Sequence, residues 1–162
     1  MHTATHAARD AAVEAWLTAD LKRPSYAHEE WQRHHLACLA LGRRFSAVRL
    51  TDEVVYAAAG QVPGLAVAVL RGLDGPVIHD PYGRRFYALV PPSPPKPCLG
   101  PGATHLGLGS YLGVPRVGCT GPDESHASYW AVPIEAPGSL CDPARLTELI
   151  RAGTAMPGGA ES

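Results

Sequence analysis

Between Pro91 and Pro122 the chain carries eight prolines and seven glycines. No long helix survives such a stretch, because proline removes a backbone donor and glycine costs about 1 kcal/mol in a helix interior. The segment is therefore either a long functional loop or a set of short strands parted by turns. Helices must lie before it or after it.

The flanking patterns agree with that division. Ala7–Leu21 is alanine-rich and sets Ala8, Ala12, Ala15 and Trp16 on one side, which predicts an amphipathic helix ended by Pro24. Ser25 is expected to cap a second helix, Tyr26–Leu41, on which Trp31, His35, Cys38 and Leu39 recur at three- and four-residue steps, with Gly42 as its stop. Phe45–Leu50 reads as a strand. Thr51, with Asp52 and Glu53, starts a short helix to Ala59, and Leu65–Leu73, apolar almost all round, reads as a buried helix or a buried strand, with the helix preferred. Pro76–His79 and Phe86–Val90 form a predicted hairpin about the turn Asp80-Pro81-Tyr82-Gly83. His105–Leu108, Tyr111–Val114 and Tyr129–Ile134 are further strands, and Asp142 with Pro143 opens a last helix to Ala152. Helices, then strands, then a helix predict a single α+β domain over residues 1–153 with a mainly antiparallel sheet. Residues 154–162 read as a flexible tail.

With 162 residues, 46% of them hydrophobic and 18% charged, the chain has room for one sizeable core and is too apolar to be disordered throughout. Its longest apolar stretches, such as Leu36–Leu41 and Val67–Leu70, are too short to span a bilayer. Met1–Asp10 lacks a basic start and an apolar run, so no signal peptide, no membrane partner and a cytoplasmic location are expected. The four cysteines, at 38, 98, 119 and 141, contain no C-x-x-C and read as free thiols. A net charge of −1 argues against a general nucleic-acid coat protein. The charge is uneven, however: residues 61–120 sum to +3 and 121–162 to −4, so an anion would bind in the middle third.

Gly-Arg-Arg-Phe occurs twice, at Gly42–Phe45 and Gly83–Phe86, each time leading into a predicted strand. Were those strands neighbours, Arg43, Arg44, Arg84 and Arg85 could converge on one phosphate or carboxylate. The plainer reading is two exposed arginine pairs at strand ends. His34, His35 and Cys38 have the spacing of zinc ligands on one helix, but packing for Cys38 beside surface histidines is the stronger expectation, and no metal or cofactor is assigned. No G-x-S-x-G elbow exists, and Gly107–Gly113 reads as glycines at strand turns rather than a phosphate loop. His79 and Asp80 are an acid–base pair in a cleft or, equally, a turn aspartate beside an exposed histidine.

From Gly75 onward the order of pieces resembles a known family. Gly83-Arg84-Arg85-Phe86-Tyr87-Ala88-Leu89-Val90-Pro91 resembles the strand of bifunctional primase–polymerase domains that reads Gly-Gly-x-His-hydrophobic-Tyr-Phe and ends in Val-Pro. Thr104–Pro115 resembles that family's Asp-x-Arg-Gly-x-Gly-Gly-Tyr stretch, Ser128-Tyr129-Trp130 falls where it has Tyr-x-Trp, and Leu146–Ile150 where it closes with a helix. The likeness covers about half the chain and is to a small actinobacterial version. The resemblance implies a nucleotide-shaped groove without polymerase chemistry. Two-metal phosphoryl transfer needs several carboxylates, yet no Asp-x-Asp or Asp-x-Glu exists here. Arg85 stands in place of the strand histidine, His105 stands near the third acid's place, and only Asp80 lies close to the right region.

The leading expectation is thus a catalytically degenerate domain that binds a nucleotide or nucleic-acid end. Arg43, Arg44, Arg84 and Arg85 would contact phosphate, Tyr82 or Tyr111 would stack on a base, and His79, Asp80 and His105 would line the site. A protein-interaction module, with the Pro91–Pro97 loop and exposed aromatics such as Trp130, is the first alternative. The other is a small-molecule enzyme using His79, Asp80, His105 or a cysteine.

Overall fold

The computed structural model describes residues 2–92, 99–122 and 127–155. The proline-rich middle forms short strands, and the chain runs α1 (His2–Leu17), α2 (Pro24–Arg33), β1 (Leu36–Ala40), β2 (Ser46–Thr51), α3 (Asp52–Ala58), a 3-10 turn (Pro63–Leu65) and α4 (Ala66–Arg71). It continues with β3 (Val77–Asp80), β4 (Arg85–Val90), β5 (Ala103–Leu106), β6 (Tyr111–Pro115), β7 (Tyr129–Val132) and α5 (Pro143–Thr154). The fold is α+β, with five helices among the described residues, two antiparallel sheets and a closing helix. The larger sheet has the order β5-β2-β4-β3-β7; the smaller pairs β1 with β6. No helix among the described residues is long and apolar enough to cross a membrane.

Two apolar clusters lie on the two faces of the larger sheet. Val48 and Leu50 of β2, Phe86, Ala88 and Val90 of β4, and Val77 of β3 pack with α3, α4 and α5. Ala47, Ile78 and Leu89, one residue out of phase, pack with α1, α2 and the small sheet. Trp130 is fully buried and donates its indole N–H to the carbonyls of Pro115 and Arg116, joining the two sheets. It is therefore not the exposed aromatic expected from the sequence, because β7 closes the sheet edge and turns it inward.

The hairpin, the helix start at Thr51 and the last helix match the sequence expectation. Thr51 Oγ1 accepts from Val54 N at 3.3 Å, and Asp142 Oδ1 accepts from Ala144 N at 2.9 Å. The second helix does not run as expected. It ends at Arg33, its N-cap is Arg23 with Pro24 at the first position, and residues 36–40 form a strand instead. Ala37, Leu39 and Leu41 are buried while Cys38 and Ala40 are exposed, a period of two that pairing with β6 satisfies. Gly42 stops no helix. At φ +98° it turns β1 toward β2, lying so close to Leu108 that a Cβ would collide with that residue's backbone. The helix α5 runs through Gly153 to Thr154, and residues 156–162 of the expected tail lie outside the described residues.

Candidate functional site

The two Gly-Arg-Arg-Phe segments do lead into neighbouring strands, but the arginines do not converge. β2 and β4 are antiparallel, with Ser46 opposite Val90 and Thr51 opposite Arg85. The starts of the two strands are thus at opposite ends of the ladder, about 17 Å apart. Arg43 and Arg44 sit at the end nearer the small sheet, where Arg44 pairs with Asp20 at 3.5 Å and Tyr111 stands 67% exposed. His79, Asp80, Tyr82, Arg84 and Arg85 gather at the other end. His105 is buried on the helix-covered face of β5, opposite Val48. Asp80 caps its own turn, its Oδ1 accepting from Gly83 N at 3.0 Å.

His34, His35 and Cys38 lie beyond the end of α2, so the shared helix face that zinc would need is absent. Cys38 is exposed rather than packed, because strand alternation points it away from buried Ala37 and Leu39. No group of three or more potential metal ligands occurs among the described residues. Cys38, Cys119 and Cys141 form no disulfide among the described residues, and residues 93–98, Cys98 with them, lie outside those residues.

Two surfaces meet at the hairpin end. The first is the margin of the sheet face covered by α1, α2 and the small sheet, where the side chains are half-buried or exposed. Alternation places Arg49 of β2, Arg85 and Tyr87 of β4 and Thr104 of β5 on the same face as buried Ala47 and Leu89. Arg49 is directly opposite both Tyr87 and Thr104, and Thr51 is opposite Arg85. Neither Arg49 nor Arg85 is ion-paired among the described residues. Arg49 and Tyr87 are absent from the sequence-based set; their signal was the i, i+2 phase with Ala47 and Leu89, visible once the strands are aligned.

The second is a cleft of about 480 Å³ on the helix side, lined by Asp52, Glu53, Tyr56, His79, Pro81 and Arg84. At its floor His79 is almost fully buried. Its Nε2 lies 3.1 Å from Asp52 Oδ1 and its Nδ1 3.0 Å from the Tyr129 hydroxyl. Phe86 stacks on the imidazole, ring centroids 4.0 Å apart and planes within 15°. Burial, then Tyr56 and Asp52, pushes the Tyr129 phenol above its ordinary range. Burial and Asp52 do the same to Tyr56. The sequence singled out Asp52 as a helix-start acid and missed it as the partner of His79, because that contact joins segments 27 residues apart.

Comparison with protein-family models, with curated proteins and with solved structures finds no match to this chain.

Proposed function

We propose that the protein is a primase–polymerase-like domain without polymerase chemistry that binds single-stranded nucleic acid, or the phosphates of a nucleotide, at that margin of its larger sheet. One observation carries this reading: two arginines without ion-pair partners among the described residues flank a half-buried tyrosine at the margin of the apolar cluster on one sheet face. Guanidiniums supply backbone charge neutralisation, and an aromatic ring supplies a stacking platform indifferent to base identity. Strands β4 and β5, on which the family resemblance rests, both pair with β2 and are separated by it. Arg85 stands where a metal-binding version would place a histidine, and His105 near the place of its third acid. Positive side chains thereby take over part of the charge balance that metals supply elsewhere. Tyr82, 88% exposed at the hairpin tip, extends the platform.

Fluorescence anisotropy with a short single-stranded oligonucleotide tests the reading. Replacing Arg49 and Arg85 together by alanine is expected to weaken binding about tenfold or more and to flatten the salt slope by about 0.7 per lost phosphate contact. Replacing Arg43 and Arg44, at the far end of the ladder, is expected to change binding little. Unchanged binding in the first variant overturns the proposal. A nucleoside triphosphate present at a hundredfold excess over Kd is expected to stabilise the fold by about 2.7 kcal/mol. A second reading, as a protein-interaction module, draws on the exposed apolar side chains of Val62, Leu65 and Val67 around the start of α4. Binding of neither nucleotide nor oligonucleotide favours it.

A further inference from the structure

From the helix-side cleft, lined by Asp52 and His79, a chain of titratable groups runs to Tyr129 behind the imidazole, and nucleic-acid binding on the opposite face does not use it. Asp52 opens α3, His79 sits on β3 and Tyr129 on β7, and the imidazole bridges the other two. We propose that Tyr129 is an activated nucleophile, a modification site that takes an acyl group from an activated acyl donor, with His79 as its base and Asp52 as the positioning residue for His79.

The hydrogen-bond directions carry the argument. An ionised carboxylate only accepts, so in a neutral ring the Nε2 hydrogen points to Asp52. The lone pair of Nδ1 then faces the Tyr129 hydroxyl, which must donate to it. The arrangement assigns donor, base and orienting acid in the order that activates hydroxyl nucleophiles elsewhere. Stacking on Phe86 fixes the plane of the ring, so the lone pair cannot turn away. Charged and titratable groups around the imidazole are Asp52, Glu53 and Tyr56 from α3, Arg84 from the hairpin turn and Tyr129 from β7. Because burial holds the phenol above its ordinary range, free phenolate is scarce at neutral pH. The proton therefore leaves as the new bond forms. With N-acetylimidazole as donor, the Tyr129 oxygen–carbon bond forms and the carbon–nitrogen bond to imidazole breaks. The phenol proton passes to Nδ1 of His79 and from there to the departing imidazole.

N-acetylimidazole labelling followed by peptide mapping at neutral pH tests this in the unmodified protein. Tyr82 and Tyr111 are 88% and 67% exposed, while Tyr56 lines the same cleft as His79 without a hydrogen bond to it. The expected result is that Tyr129, far less exposed than Tyr82 and Tyr111, is acetylated first, and well below the pH at which a phenol ionises, about 10. Labelling in order of exposure, with Tyr129 no faster than Tyr56, overturns the proposal. His79→Gln is expected to slow acetylation of Tyr129 about a hundredfold while leaving Tyr82 and Tyr111 unchanged. An unchanged cooperative thermal melt reports that the variant is folded. Asp52→Asn is expected to slow it less and to be partly offset by raising the pH. Labelling of Tyr129 at the wild-type rate in His79→Gln likewise rejects the assignment.

Discussion

Gly75 shows how tightly single positions are set. A Cβ there would overlap the backbone of Leu140 and Cys141. That segment is held by three bonds: Cys141 N donates to Leu89 O at 2.7 Å, Asp142 N to Leu73 O at 2.9 Å, and Cys141 Sγ–H to Pro76 O at 3.3 Å. A methyl group cannot be admitted by a rotamer change, because the obstacle is main chain. Gly75→Ala is therefore expected to cost about 2 kcal/mol or more, a fall in Tm of about 6 °C in a thermal melt. Chemistry-bearing residues were partly legible at this scale. His79 and Arg85 were singled out correctly as residues of the hairpin end, and Asp80 is the turn cap its sequence context allowed. Asp52, Arg49 and Tyr87 were not, since each acquires its role from a neighbour on another strand.

Among the elements, α5 is the most self-contained. Asp142 caps it, Pro143 fixes its first dihedral, and Leu146, Leu149 and Ile150 form its buried stripe. The capping carboxylate also lies 3.7 Å from Arg145, an exposed pair of little weight. Asp142→Ala is expected to lose about 1 kcal/mol, read as a drop in Tm of about 2–4 °C with unchanged far-UV signal. Elements with such local signals, α3, α5 and the β3–β4 hairpin, could be read from the sequence. The stretch after Arg33 could not: Trp31, His35, Cys38 and Leu39 satisfy a helical step, while Ala37, Leu39 and Leu41 satisfy a strand step. The choice falls to β6, about 75 residues later, whose Leu112 and Val114 meet Leu39 and Ala37. Strand direction was equally hidden. A repeated Gly-Arg-Arg-Phe says that two strands begin alike, and an antiparallel register then sends their starts apart.

Across the whole molecule, the buried acids respond to pH together. Burial, reinforced by Asp74, pushes the Cys141 thiol up to about 12, against a backbone bond from Leu89 that lowers it. The phenols of Tyr56 and Tyr129 are also raised. The unfolded chain releases these protons first, so their contribution is complete below the ordinary thiol value and is lost as pH rises toward the folded one. Stability measured by urea denaturation is expected to hold from neutrality to about pH 9 and to fall from there toward about pH 12, with a shallower fall in Cys141→Ala. The α+β class and the helix–strands–helix order were visible in the sequence because they depend on composition and local period. Sheet order was not, because β2 sits between two strands that follow it. That order also governs birth on the ribosome. Only β3 and β4 are joined by a tight turn; β1 waits for β6, β2 for β5, and β3 for β7. Neither apolar cluster can close before Trp130 and α5 have been synthesised. α1, α2 and β1 therefore find their partners only across long stretches of chain, and such non-local pairing is expected to make folding slow for a domain of this size.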